Sequence, residues 1–394
     1  MAAGPLLIAS LTRNAVLVSL AALLRWAPPL AFGLYAGVLS DRLNRRHIVV
    51  TADTTRVVIL LGLLSTMVTG TLNVAVALVA LGLLATAEVF SDNASGTLAP
   101  MLVHRDDLAI ANARLQTGFI TMNQLAGPPL GAALFAIGWK WPYLSEATMV
   151  SAGILLFLRV ALPAHGQDTQ TQRHHMGHDI AEAFRWTVRH PAVRTLALTI
   201  LIFNITYGAA WSVLVLYVRD RLGLGAVGYG LLTTVSAVGG LVGTALYGAI
   251  TRRVSLGNVM RIGLILETLT HLGLALTRSA WVAASILFVF GAHAFVWGTT
   301  SITVRQRAVP VYLQGRVNSL NTISVYGGLV IGSAIGGPLA VRYGVAAPFW
   351  FAFVGSAIFV AVLWREMTSI AHSDQRDSAP SDASTTAQPV EEPA

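Results

Sequence analysis

Gly37-Val-Leu-Ser-Asp-Arg-Leu-Asn-Arg-Arg46 is a short polar stretch set between two long apolar runs, residues 15–39 and 47–69. Each run is long enough to cross about 30 Å of hydrocarbon as a helix. The stretch carries one acid and three arginines, so it belongs at a membrane surface. A related stretch, Gly248-Ala-Ile-Thr-Arg-Arg-Val-Ser-Leu-Gly257, also sits between apolar runs, about 211 positions later. Gly127 and Gly131 likewise recur as Gly332 and Gly336, about 205 positions on. Repetition at a steady offset predicts two similar halves related by an axis along the membrane normal.

Outward from this stretch, apolar runs continue along the chain. Full spans are expected at 15–39, 47–69, 72–91, 110–137, 142–162, 193–218, 225–250, 258–277, 281–303, 318–341 and 346–364. The 394 residues are 55% hydrophobic and only 11% charged, with mean hydropathy +0.66. A soluble domain carries roughly 25% charged residues, so this chain lacks the charge to cover a water-facing surface. Backbone in lipid must satisfy its own hydrogen bonds, so the spans are helices. The expected class is an all-α membrane protein with about eleven full transmembrane helices. Four parts are expected: a first bundle at 1–162, a linker at 163–192, a second bundle at 193–364 and a tail at 365–394. The tail is rich in Ser, Asp, Pro and Thr and should be disordered. The offset would start the first half's opening helix about 18 residues before Met1. Pro5 to Leu11 is therefore expected to be the remnant of a first helix largely missing. Met1 to Ser10 has no basic leader or clear cleavage site, so no cleavable signal peptide is expected.

The net charge of +8 and pI near 10.3 could suggest nucleic acid as a partner. The arginines instead fall between apolar runs and form no continuous basic face, which argues against it. Of 26 basic residues, eighteen fall in loops or span ends on one side of the alternating helices and six on the other; Arg25 and Arg56 lie deeper within spans. The richer side is expected to be cytoplasmic, with the long central loop and the tail. There are no cysteines, which removes disulfides and thiolate metal sites. His174, His175 and His178 in the linker lack ligand-spaced carboxylates and read as solvated. Asp179 to Arg189 carries an Ile180, Phe184, Val188 stripe that suits a helix lying at the membrane surface. No Walker phosphate loop and no nucleophile–base spacing is present, so ATP use, cofactors and catalysis are not expected.

The Gly37 to Arg46 stretch resembles the signature between the second and third helices of the major facilitator superfamily, with Asn44 where that signature has a second glycine. Thr51-Ala-Asp-Thr-Thr-Arg56, Ala87-Glu-Val-Phe-Ser-Asp-Asn93 and Asn123-Gln-Leu-Ala-Gly-Pro-Pro-Leu-Gly131 resemble the branch containing the enterobactin exporter and macrolide-efflux proteins. Phe184 to Pro191 fits that branch's central linker. The resemblance implies two pseudo-symmetric six-helix bundles, here with the first helix truncated. It also implies that Asp41 and Arg45 join an acid at the cytoplasmic end of the next-but-one helix. Asp92 is placed for that, with Glu88 one turn away and Arg42 and Arg46 alongside. Such a cluster would latch a cytoplasmic gate; plain topology anchoring is the alternative. Gly127-Pro128-Pro129-Leu130-Gly131 resembles the glycine-proline motif on the fifth helix of family exporters. Gly33/Gly37, Gly127/Gly131 and Gly332/Gly336 are small-xxx-small pairs that suit close helix packing.

Ionisable groups inside spans cost a few kcal/mol each and are functional candidates. Arg25 lies mid-helix before Pro28-Pro29. Asp53 and Arg56 are three apart and can pair. Glu146, near the extracellular end of its span, is expected to snorkel outward. Glu267 and His271 share a helix face and could load a proton, although the resemblance places that helix outside the cavity. The resemblance puts His293 and Trp297 on a helix against the cavity, with Asn204, Tyr207 and Trp211 on another. Amide and aromatic groups there suit a large amphipathic ligand, with lipid-facing aromatics the alternative. The leading expectation is a monomeric, proton-coupled exporter of a small amphipathic molecule, drug or siderophore-like, in a bacterial inner membrane. A transport-inactive or sensory protein that keeps the fold is the alternative, and an importer a third.

Overall fold

The computed structural model describes residues 3–104, 107–160, 184–310 and 313–364. Their helices run in the order α1 (Ala3–Leu11), α2 (Ala15–Arg42), α3 (Arg45–Thr69), α4 (Val74–Gly96), α5 (Leu108–Phe119), α6 (Gly127–Ile137) and α7 (Trp141–Leu158). The second half follows with α8 (Pro191–Trp211), α9 (Leu214–Asp220), α10 (Ala226–Thr251), α11 (Leu256–Leu276), α12 (Ala280–Ala308), α13 (Gln314–Tyr343) and α14 (Ala347–Leu363). Among the described residues there is no strand. Nine of these stretches are long and apolar enough to cross a membrane, and Ala347–Leu363 is a shorter apolar helix. The His174, His175 and His178 cluster, residues 179–183 and the tail from Arg365 lie outside the described residues.

Two spans expected to be continuous are interrupted. Residues 108–137 form α5, a π-helix at Ile120–Ala126, and α6. Pro128 and Pro129 cannot donate to the carbonyls four residues earlier, and a widened turn accommodates the missing bonds. A Cβ on Gly127 would sit 2.9 Å from the Met122 carbonyl oxygen, so glycine is needed where the turn closes. The span 193–218 breaks between α8 and α9 at Ser212 and Val213. Ser212 Oγ donates to the Ala209 carbonyl at 3.0 Å, a local bond that competes with the helix ladder.

Asn44 has a clear local role. Its Oδ1 accepts from the Arg46 amide at 2.9 Å and caps α3, with φ −63° and ψ 111°. That extended backbone needs no glycine. Ser255, at the equivalent place in the second half, caps α11 in the same way. The repeat therefore preserves the cap rather than the residue.

In the first half α2 packs on α4, and α3 on α4 and α7. In the second half α10 packs on α12, α11 on α12 and α14, and α8 on α13 and α14. The halves cross mainly at two places, α2 on α13 and α6 on α10, with a smaller contact of α1 on α9. Since α2 corresponds to α10 and α5–α6 to α13, these crossings exchange under the pseudo-twofold axis. The fold is that of a two-bundle facilitator.

The two ends of the molecule differ. At the arginine-poor end a Cβ on Gly337 of α13 would lie 2.1 Å from Ser19 Oγ and 2.7 Å from Val16 Cα of α2. A Cβ on Gly230 of α10 would lie 2.5 Å from the Ala132 Cβ of α6. Arg219 Nη1 donates to the Ala9 carbonyl at 2.9 Å. The largest apolar cluster joins Leu7, Ile8, Val18 and Leu60 of the first half to Val213, Leu216 and Ala340 of the second. At the arginine-rich end the bundles part. Positions where Gly33, Gly37 and Gly248 would carry a Cβ meet nothing within 4 Å. The Gly33/Gly37 pair, expected to bring helices together, thus meets no neighbouring helix here, and Gly33 lines a vestibule of about 350 Å³ among α2, α4 and α13.

Candidate substrate cavity

Between the bundles lies a cavity of about 300 Å³, lined by residues of α1, α2, α4, α6, α7, α8, α10 and α13. Its first-half wall carries Arg25, Glu88 and Glu146, and its second-half wall Tyr207, Trp211 and Tyr229. Behind the charged wall Arg56 is held on two sides. Its Nη1 lies 3.1 Å from Asp53 Oδ1 and its Nη2 3.3 Å from Glu146 Oε1. The expected Asp53–Arg56 pair is formed. Glu146 does not snorkel outward: α3 packs on α7, and Arg56 draws the carboxylate inward. Arg56 also interacts electrostatically with Glu88, and Asp92 with Glu88, Arg56 and Asp53. Arg25 lies over the Trp26 ring, 4.9 Å from its centroid.

The opposite wall is aromatic. Tyr207 and Trp211 are stacked at 4.3 Å between centroids, and Phe290 lies 4.8 Å from Trp211. Behind them His271 meets Trp211 edge-on at 5.9 Å, and His293 meets Phe290 edge-on at 5.3 Å. Both histidines are buried, and none of their ring nitrogens has a hydrogen-bond partner among the described residues. Glu267 lies within electrostatic reach of Tyr207. Trp297 does not line the cavity; its ring lies against the Gly263 position of α11. Asn204 donates to the Ile200 carbonyl at 2.7 Å and packs against Gly328 of α13.

The glycine motifs divide by partner. Gly332 and Gly336 bring α13 onto α8 within one half, their Cβ positions 2.2 and 2.3 Å from the Ile205 and Ala209 carbonyl oxygens. Pro128 instead faces the other half, its carbonyl oxygen 3.0 Å from the Cβ position of Gly230, and Gly131 follows one turn along α6. Arg45 bonds the Ser40 carbonyl and the Met101 sulfur, and Arg46 the Leu158 carbonyl. The side chains of Asp41 and Arg42 lie outside the described residues.

Tyr229 lines the cavity and Tyr326 the vestibule, and neither belongs to a sequence motif. A lone tyrosine in an apolar span was their only signal, and the helix rotation that aims it is not visible in the sequence.

A family model described as transmembrane secretion effector matches residues 2–393. The chain belongs to this major facilitator family. The Shigella boydii protein named enterobactin exporter EntS is 27% identical over 349 residues, covering 86% of this chain and 80% of that protein. An uncharacterized MFS-type transporter of Sinorhizobium fredii is 25% identical, over 66% of this chain and 64% of its own length. The crystal structure of the nucleoside transporter NupG superposes with TM-score 0.68 at 12% identity, covering 93% of each chain. A bacterial homologue of the iron transporter ferroportin, in an inward-facing state, gives TM-score 0.65 at 17% identity, over 91% of this chain and 95% of that one. This secretion-effector chain is therefore a multi-pass membrane protein of the transporter fold.

Proposed function

We propose that the chain is a secondary transporter that exports a small amphipathic molecule in exchange for protons, by alternating access, in a bacterial inner membrane. The observation that carries this reading is the cavity between the halves, packed shut at the arginine-poor end and parted from a vestibule on the other side by the Trp26–Tyr326 ring contact. The arginine bias favours a cytoplasmic position for the open end. The similarity to an enterobactin exporter favours outward transport. Cavity carboxylates in a low-dielectric setting suit proton exchange, and the apolar and aromatic walls suit an amphipathic cargo. The protein would work as a monomer in the lipid bilayer, with Glu267, His271 and His293 as a second proton-handling group.

In this reading the Asp41, Arg42, Arg45 and Arg46 turn closes on Asp92 when the arginine-rich ends meet. Asp41→Asn, expressed at normal levels, is expected to slow transport at least tenfold; an unchanged rate removes the latch.

The direct test uses everted membrane vesicles and a panel of fluorescent amphipathic dyes and siderophores. At least one is expected to accumulate inside in a way that a protonophore abolishes. Accumulation of none, or accumulation indifferent to the protonophore, contradicts proton-coupled export. Replacing Glu267, His271 and His293 singly, then following cargo-driven proton flux, tests the second group; no change in any variant assigns the trio a packing role.

A further inference from the structure

The two ends of the second half are unlike in charge. Among its described residues this half holds two acids, Asp220 and Glu267. Asp220 ends α9, where Arg219 Nε donates to its Oδ1 at 2.6 Å, and Glu267 lies within α11. Neither stands at the arginine-rich end. That end carries Arg252 and Arg253 in the turn between α10 and α11, Arg189 before α8, and Arg305 in the last turn of α12. Arg189, Arg252 and Arg253 are exposed. The first half differs, because Asp92 and Asp107 stand at its arginine-rich end. A basic face with no carboxylate of its own attracts an anionic partner.

The chain itself supplies one. Leu363, at the end of α14, is buried with Phe203 of α8 and Leu264 of α11. Trp364 follows beside Arg261 of α11, whose guanidinium lies 5.4 Å from the ring centroid. The chain therefore leaves the bundle on the basic face, near the α10–α11 turn. Residues 366–394, outside the described residues, hold six acids (Glu366, Asp374, Asp377, Asp382, Glu391 and Glu392) against Arg376 alone. Asp374 is ten residues beyond Trp364, a reach of at most about 35 Å when extended. A helix is about 10–12 Å across, and α11 packs directly on α12 and α14. Asp374 and Asp377 can thus reach both the Arg252–Arg253 turn and the end of α12.

We propose that residues 366–394 dock as an acidic intramolecular ligand on the arginine-rich end of the second half, centred on Arg252, Arg253 and Arg305. Each contact is an exposed ion pair and weak alone. Several on one tether add without any fixed geometry, at an effective concentration in the millimolar range. Lipid headgroups are the rival anion, but they are not tethered to this face. Arg305 Nη2 also donates to Asn318 Oδ1 at 3.3 Å, and Asn318 lines the vestibule, so the docked segment borders the vestibule mouth. Docking depends neither on the cargo nor on the direction of transport.

The chain has no cysteine, so a dye pair can be placed at Gln306→Cys, exposed at the end of α12, and at Ser378→Cys. Förster transfer in the purified full chain in detergent is expected to be high at about 0.1 M salt and at least twofold lower at about 1 M, where the screening length shrinks from about 10 Å to about 3 Å. Arg252→Gln with Arg253→Gln should cause a similar fall at the lower salt. Asp374→Asn with Asp377→Asn should do the same while altering no residue of the bundles, which separates lost docking from a lost fold. Arg278→Gln with Arg342→Gln, at the opposite end, should leave transfer unchanged. Low transfer at low salt overturns the proposal, as does transfer that survives either neutralisation, or an equal fall with the opposite-end variant. Nanodiscs decide between the two anions. Transfer retained in phosphatidylglycerol-rich discs supports the docked segment; transfer lost there but kept in phosphatidylcholine discs gives the face to lipid headgroups and overturns it.

Discussion

Arg56→Met is expected to lower the stability of the folded protein by about 3 kcal/mol, the low end of the cost of stripping one partner from a buried ion pair. The guanidinium is 17% exposed and Asp53 18%, so neither is rescued by bulk water. Glu146 is 39% exposed, so its limb contributes less, which sets the figure at the low end. The physical cause is plain. Without Arg56, Asp53 and Glu146 lose their ion-pair partner, and Arg25 is the one arginine among the described residues that line the cavity. Glu146→Gln, which leaves Asp53 paired, is expected to cost about 1 kcal/mol. Thermal unfolding in detergent, read from intrinsic tryptophan fluorescence, would show the large loss for Arg56→Met and the small one for Glu146→Gln. Equal melting temperatures for wild type and Arg56→Met would mean that the ion pairs do not organise the first half.

Gly337→Val is expected to shift the conformational equilibrium rather than unfold the protein. Its Cβ would lie 2.7 Å from Val16 Cα and 2.9 Å from the Ala15 carbonyl oxygen, and backbone atoms cannot move aside as a side chain can. The clash lies between the two halves, at the closed end. Overpacking costs about 1–3 kcal/mol, enough to move a two-state equilibrium by roughly one to two powers of ten. Gly332→Val makes an equally tight clash, 2.2 Å from the Ile205 carbonyl oxygen, but inside one half. It should destabilise the bundle without opening the seal. The chain has no cysteine, so a single cysteine at Ala22, on the cavity wall, reports access without background. A membrane-impermeant thiol reagent applied from the arginine-poor side should label Ala22→Cys at least tenfold faster with Gly337→Val. An unchanged labelling rate would mean that the α2–α13 contact is not the seal.

The spans were legible because hydropathy and the need to satisfy backbone hydrogen bonds in lipid leave helix as the only form. The pseudo-repeat was legible because the polar turns at Asn44 and at Ser255 serve one structural purpose at a steady offset. The Asp53–Arg56 pair followed from spacing on one helix. What could not be read depends on rotation and long-range packing. Nothing within α7 says that Glu146 meets Arg56, ninety residues earlier, instead of solvent. Asn204 belongs to a cavity-lining helix and Trp297 to the helix behind the aromatic wall, and close packing at Gly328 and at Gly263 sets each against a neighbouring helix. The Trp26–Tyr326 ring contact exists only because α2 meets α13. The proline pair at 128–129 marked an interruption, but its form as a π-helix upstream depends on how the carbonyls before Gly127 are satisfied.

Two halves tilting about a shared cavity require gates that move in opposition, and paired spin labels read this directly. One pair, Arg13→Cys with Tyr343→Cys, spans the arginine-poor end; the other, Leu34→Cys with Ile323→Cys, spans the vestibule. Double electron–electron resonance on each pair in lipid nanodiscs, at a series of pH values and with added cargo, should give two distance populations per pair. Alternating access predicts that conditions lengthening the first pair shorten the second. A single fixed distance at both ends, or two distances that grow and shrink together, would contradict it.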